Sequence, residues 1–367
     1  MKSIVAMKKQ SILLAISVLL LCSACIKEEV SPTTIKYEIP TTYTFERVNY
    51  ASQTQRLLML DELLNEVKKG NVPNTVVNAQ KLREMYSNFN NRFADASLNI
   101  SSIQLKDKTY LTEQSVIESY FDSLETISTS TTTGSMGVAG VVSTKDRTRM
   151  YLLSANGIEF KERIDKGLMM ALIYNQITSV YLSSEKMNVD NTIVNEATGT
   201  AMQHHWDEAF GYLAIPTDFP TNATGIKYLS KYIHARNAVL DCNKKIMNAF
   251  ITGRAAINNN DYRTRDIQIE IICTEIEKVM AATAINYLNQ AKTNFADDAL
   301  RCHVLSEFHG FVYGLKFNAK KKITNEQITA LLNTLGDNYY IITITQIDEL
   351  KTSLANIYNL NSVKDIL

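Results

Sequence analysis

Apolar residues recur at spacings of three and four along most of the chain. Leu57, Leu60, Leu64 and Val67 make one such stripe. Phe160, Ile164, Leu168 and Leu172 make a second, and Ile269, Ile272, Ile276 and Val279 a third. On an α-helix these positions share a face. No proline occurs in 74–215 or 221–367, so no ring interrupts a helix there. The pattern predicts helices near 52–69, 75–91, 110–127, 157–183, 197–213, 226–251, 262–290, 296–316, 325–335 and 345–358. Ser52 with Gln55, and Thr324 with Gln327, have capping-box spacing. Lys68-Lys69-Gly70 reads as a helix stop, and so does Gly253-Arg254-Ala255-Ala256. Strand-type alternation does not recur. Residues 339–344 are β-prone but lack an evident partner, and the small, polar stretch 128–144 reads as a long loop. The expected fold class is all-α, helical bundles packed together. Pro216 and Pro220 make 214–225 the candidate divide between two bundles.

The N-terminus has a different pattern. Lys8 and Lys9 precede an apolar run over 12–21 that only Ser17 breaks. A spanning helix needs about 20 apolar residues, so this run suits a signal peptide instead. Cys22-Ser23-Ala24-Cys25 resembles a bacterial lipobox, with Cys22 where leucine is usual. Residues 1–24 are therefore expected to be removed and Cys25 to be lipidated, anchoring the protein to a membrane. No aspartate follows Cys25. Ile26-Lys27-Glu28-Glu29 resembles the export signal that sends lipoproteins to the cell surface in Bacteroidota-type bacteria. The expected location is the outer membrane, lipid-anchored and exposed at the surface. Pro- and Thr-rich residues 31–44 read as a tether. The expected order is signal peptide 1–24, lipidated Cys and tether 25–45, and helical domain 46–367.

Composition narrows the function classes. The chain has 367 residues, 45% of them hydrophobic, enough for one large domain or two. It carries 38 basic and 38 acidic residues. Loss of 1–24, which holds Lys2, Lys8 and Lys9 and no acid, leaves a small acidic excess. No basic surplus points to nucleic acid. Beyond Cys22 and Cys25 the cysteines are Cys242, Cys273 and Cys302, an odd number with no CxxC. Buried free thiols fit better than a disulfide framework or a zinc knuckle.

The candidate chemistry gathers at 202–220. His205 and Glu208 are three apart, as are His204 and Asp207, so each pair shares a helix face. An imidazole nitrogen with a carboxylate oxygen suits zinc, iron or manganese. Further ligands must come from neighbouring helices, as in bundle-core metal sites. His303 and Glu307, four apart, are one source, and Glu159 is another, with Lys166 on its helix. His205, Glu208, His303, Glu307 and Glu159 are thus the candidate ligands of a divalent or iron ion. His204, Asp207, Gln203 and Trp206 are candidates to support them. The plainer reading of such pairs is a hydrogen bond worth a few tenths of a kcal/mol. HExxH is absent, and HxxEH fails because Ala209 follows Glu208. There is no GxSxG and no P-loop.

The run from His204 to Tyr212, with Asp218-Phe219-Pro220, resembles a lipoprotein family from Bacteroidota labelled only as a domain of unknown function, number 4856. Further matches are Ser52-Gln53-Thr54-Gln55-Arg56-Leu57, Leu98-Asn99, Leu105-Lys106-Asp107-Lys108, Lys166-Gly167-Leu168-Met169, Gly253-Arg254-Ala255-Ala256-Ile257 and His303-Val304-Leu305-Ser306-Glu307. The family resembles, distantly, the imelysins, which are all-helical, carry a GxHxxE motif and are tied to iron acquisition. His205 and Glu208 match that motif, while Gln203 stands in place of its glycine. The resemblance implies metal or iron-linked binding, with an outer-membrane transporter as a candidate partner.

Three readings follow. The first is a lipoprotein that holds a metal ion, an iron complex or a haem-related ligand between helices. The second is a metal-dependent peptidase-like hydrolase with Glu208 or Asp207 as base. The third is a metal-free interaction module in which the His–Glu pairs fix helix register.

Overall fold

The computed structural model describes residues 35–367. The signal peptide expected at 1–24, Cys25 and the first part of the tether lie outside the described residues. The stripes fold into helices, and two short helices over Ala96–Asn99 and Ser184–Met187, which no stripe announced, join them among the described residues. In chain order these are α1 (Ala51–Lys68), α2 (Ala79–Tyr86), α3 (Ala96–Asn99) and α4 (Gln114–Ser128). A hairpin of β1 (Gly140–Ser143) and β2 (Met150–Leu153) follows. Then come α5 (Phe160–Leu168), α6 (Ser184–Met187), α7 (Ala201–Gly211), α8 (Leu229–Leu240) and α9 (Cys242–Asn258). The chain ends with α10 (Tyr262–Thr293), α11 (Asp298–Gly314), α12 (Asn325–Leu335) and α13 (Ile344–Tyr358). The all-α expectation holds.

Helix α10 is the axle. Its 32 residues span about 48 Å. Ile272, Cys273, Ile276, Val279 and Met280 are fully buried, and α8, α9, α11 and α13 all pack on it. Helix α11 packs on α10 and also on α5, which is backed by α4. The seam between α5 and α11 is therefore covered on both sides. Beyond Leu168 the helix widens into π turns over Met169–Tyr174 and Gln176–Tyr181. Such turns are rare and often accompany functional sites.

Several expectations are corrected. The 128–144 stretch is not all loop: β1 pairs antiparallel with β2, Val141 opposite Leu152. Gly134 and Gly140 let residues 132–134 lie against the start of β1, since a Cβ on either would collide with backbone of the other segment. Residues 339–344 form no strand; Tyr339 is buried and its amide donates to the Asn156 carbonyl at 2.8 Å. The single helix expected over 226–251 is two, broken where Asp241 takes φ 50°. Gly253-Arg254-Ala255-Ala256 lies inside α9 and ends nothing. Helix α1 has no Ser52–Gln55 capping box; it starts at Ala51, whose amide donates to Asn49 Oδ1 at 3.1 Å. The Thr324–Gln327 capping box of α12 is present.

The helical body begins ahead of residue 46. Tyr37–Leu367 form one compact unit, with 214–225 inside it. Tyr43, expected in the tether, is buried and stacks on Phe210 with ring centres 3.6 Å apart. Cys242, Cys273 and Cys302 are buried free thiols. No helix among the described residues is long and apolar enough to cross a membrane.

Candidate metal centre

Two glycines set the approach of α11 to α5. A Cβ on Gly310 would overlap Cβ of Lys166, and one on Gly314 would overlap Cβ of Met170. These glycines, one turn apart, let the helices approach closely, as small residues do at tight helix crossings. The entry to α5 is fixed in the same way. Gly157 takes φ 78°, and a Cβ there would lie 2.6 Å from Cys302 Sγ on α11. The Glu159 amide then donates to Ser306 Oγ at 2.9 Å.

This packing drives opposite charges into one seam. Glu159 and Glu162 are completely buried, and Lys166 and Glu307 nearly so. His303 Nδ1 lies 2.6 Å from Glu159 Oε2 and 3.6 Å from Glu162 Oε1. His303 Nε2 lies 3.6 Å from Glu307 Oε2. Lys166 Nζ reaches Glu162 Oε2 at 3.0 Å, Asp165 Oδ2 at 3.1 Å and Glu307 Oε1 at 3.2 Å. Lys161 pairs with Glu162. Asn71 Nδ2 donates to Glu159 Oε1 at 3.2 Å, and its Oδ1 is held by the Leu152 amide. Tyr151 of β2 stacks on His303 with ring centres 4.1 Å apart.

Burial opposes charge on His303, but the Glu159 charge and hydrogen bond, with Glu162 and Glu307, raise its imidazole above the ordinary value. Burial likewise opposes charge on Glu162, yet Lys166, Lys161 and His303 hold its carboxyl low. Glu307 is pushed up, chiefly by burial. With all four carboxylates ionised, Glu159, Glu162, Asp165 and Glu307 outnumber Lys161 and Lys166 by two. Protonation of His303 closes half of that deficit, and a divalent cation held by a neutral His303 closes all of it.

Glu159, Glu162 and His303 each present a donor atom, all within 4.8 Å of one another. Among the described residues this is the group of three such donors that converges. One imidazole nitrogen and two carboxylate oxygens suit a first-row transition metal or zinc. Glu162 Oε2 is buried, and its partner in the seam is Lys166, which an incoming ion would have to displace. Glu307 stands next to the group.

The α7 residues are arranged differently and do not join it. His205 Nδ1 meets Glu208 Oε2 at 3.1 Å, and Gln53 of α1 donates to Glu208 Oε1 at 2.9 Å. Burial works against the Glu208 charge, but the His205 hydrogen bond and His204 hold its carboxyl low. His204 Nε2 is 3.9 Å from Glu208 Oε1. Asp207 faces away from the histidines. It accepts from Arg254 Nε at 2.8 Å and from Tyr43 OH at 2.6 Å, fully buried. Burial nonetheless pushes its carboxyl up. Trp206 donates to the Phe250 carbonyl at 3.0 Å and covers Gly253, where a Cβ would overlap the indole. Gln203 completes a capping box with Thr200. The expected joint site of His205, Glu208, His303, Glu307 and Glu159 is thus divided: the last three gather at the α5–α11 seam, and the first two pair on α7.

The family model described as "Domain of unknown function (DUF4856)" matches residues 40–361. The chain belongs to this family. The match to DUF4856 includes both the α7 pair and the α5–α11 seam, and it begins at Pro40, within the segment expected as tether. Comparisons with the curated proteins and with the solved structures gave no match.

Glu162, Lys161, Asp165 and Tyr151 were not singled out from the sequence. The signal for Glu162 was present. It lies three residues after Glu159 and four before Lys166, on a helix otherwise apolar on that face. Tyr151 carried no such signal, because its place over His303 depends on the hairpin.

Proposed function

We propose that this member of the family is a metal-binding lipoprotein of the cell envelope. Glu159, Glu162 and His303 are its ligands, and Glu307 and Tyr151 hold His303 in place. The observation that carries this reading is the convergence of two buried carboxylates and one half-buried imidazole, from α5 and α11, within 4.8 Å. The charge deficit of the seam supports a divalent ion. The donor set of one nitrogen and two oxygens accommodates ferrous iron, manganese or zinc. The lipid anchor at Cys25, an outer-membrane or surface location, and a transporter partner in iron uptake belong to the same proposal. Their support is the lipobox-like segment and the imelysin resemblance.

The metal would act as cargo or as a structural clamp. His303 and Glu159 approach from different helices, so an ion between them ties α11 to the start of α5. Binding requires a neutral imidazole, so protons compete with the ion.

A second reading has its own observation. Lys161 and Lys166 already bridge the carboxylates, as in a metal-free lock that fixes the register of α5 on α11. Metal analysis decides between them. The full chain is purified after expression with iron and zinc present, as wild type, His303→Ala and His205→Ala. Near-stoichiometric metal in wild type and His205→Ala, lost in His303→Ala, is the expected result. Metal lost only in His205→Ala moves the site to α7. No metal in any of the three leaves the lock.

A further inference from the structure

A concave feature lies farther along α11. It is a cleft of about 520 Å³ between the π-turn segment, the end of α11 and α12, within the usual size of small-molecule sites. Tyr313 forms part of its wall, ten residues beyond His303 and so about 15 Å from it along the helix. The cleft shares no residue with the metal centre, and the inference does not rest on that reading.

Three features of its lining point to one kind of ligand. The first is an open amide. Asn175 sits between the two π turns, is only 4% exposed and lines the cleft. Its side-chain amide makes no hydrogen bond to the described residues and, unlike the sealed polar atoms of the core, stays open to the cleft. The second is a cation without an ion pair, on which the Glu326 carboxylate acts only at longer range. Lys316 is neutralised by Glu113, 2.8 Å away. Of the next three lysines, Lys320 pairs with Glu270 and Lys322 lies over the Tyr358 ring. Lys321 lines the cleft, half-buried, with no acid within ion-pair distance among the described residues. The third is an aromatic wall. The rings of Tyr110 and Phe317 lie 5.5 Å apart, and Ile328 adds apolar surface to the lining.

We propose that this cleft binds a small aromatic carboxylate. The ring lies against Tyr110, Phe317 and Ile328, where flat apolar surface is buried. The carboxylate meets Lys321, and the Asn175 amide donates to it. One ammonium without an ion pair matches a single negative charge rather than a phosphate dianion. Lys321 would gain more from pairing here than on an open surface, because the cleft walls exclude part of the water.

The test uses naphthoate as probe on the full chain, followed by ligand-observed NMR and calorimetry. Wild type is expected to bind naphthoate more tightly than naphthamide, which lacks the charge, and than decahydronaphthoate, which lacks the aromatic faces. Lys321→Gln should weaken naphthoate about tenfold, the worth of one charge-assisted contact. Lys322→Gln should leave it unchanged. Thr329→Trp fills the cleft from the exposed side of α12 and should abolish binding; it serves as the deciding variant if Lys321→Gln fails to fold. Absence of naphthoate binding to wild type overturns the proposal. So does binding that survives Thr329→Trp, or an equal loss in Lys321→Gln and Lys322→Gln.

Discussion

Helix α7 and the α5–α11 seam carry the same residue types at helical spacings of three and four, yet they do different things with them. On α7, His205 and Glu208 satisfy each other within one helix, and Gln53 takes the remaining carboxylate oxygen. In the seam, His303 reaches across to Glu159 and Glu162 on the neighbouring helix, so donors converge. The difference comes from backbone distance. Gly310 and Gly314 bring the α11 backbone against Lys166 and Met170, whereas the glycines at the α7 contacts, Gly253 and Gly211, make room for the side chains of Trp206 and Tyr50. Spacing on one helix makes a pair; close approach of two helices makes a centre.

The largest expected effect breaks the α7 side. Asp207→Ala leaves Arg254 buried without its counter-charge and should cost about 3–5 kcal/mol, measured by urea denaturation. Loss of less than about 1 kcal/mol would show that the Asp207–Arg254 pair is not a strut. Next comes the seam. Gly310→Ala puts a methyl against Lys166 and should cost about 1–3 kcal/mol, and it should also lower metal content by separating the helices. The same substitution with metal content intact would mean that close approach does not assemble the centre.

Two histidines on α11 sharpen the contrast by pH. His303 is raised above its ordinary 6.5 by its carboxylates, against the effect of burial. Its contribution to stability is fully present below pH 6.5 and is lost as the pH rises through the higher folded value. His309 is held well below 6.5 by burial and by Arg163 beside it. The unfolded chain takes up that proton first, so stability falls as the pH drops below about 6.5. NMR titration of the chelator-treated protein should show His303 titrating above 6.5 and His309 still neutral there. Matching midpoints would remove the electrostatic distinction. The smallest effect is a surface control. Lys292→Ala breaks an exposed pair with Asp348 and should change stability by about 0.2–1 kcal/mol, less at high salt.

The sequence announced helices well, because their burial follows one periodic face. Ile272, Ile276 and Val279 are completely buried, as their stripe predicts. The capping box of α12 is local and equally legible. What escaped was set by backbone conformation or by distant partners. Asp241 breaks α8 from α9 through a left-handed φ with no glycine or proline to mark it. Strand β2 is hidden because Tyr151, Leu152 and Leu153 are all buried and do not alternate. His303, Glu307 and Glu159 were legible as ligand types but not as neighbours. Their meeting depends on Gly157 and Gly310, whose roles appear only when two helices touch.

The packing of Tyr43 has a mechanical consequence. Tension applied to the chain ahead of Tyr37 enters the folded body at two tyrosines. Tyr37 donates to Asp261 at the start of α10, and Tyr43 is clasped between the Phe210 ring and Asp207. The second clasp is shared with Arg254 of α9, so a pull that frees Tyr43 must also disturb the join between α7 and α9. In a force-extension measurement the first peak should belong to this strap and shrink in Tyr43→Ala, before any helix of the body yields.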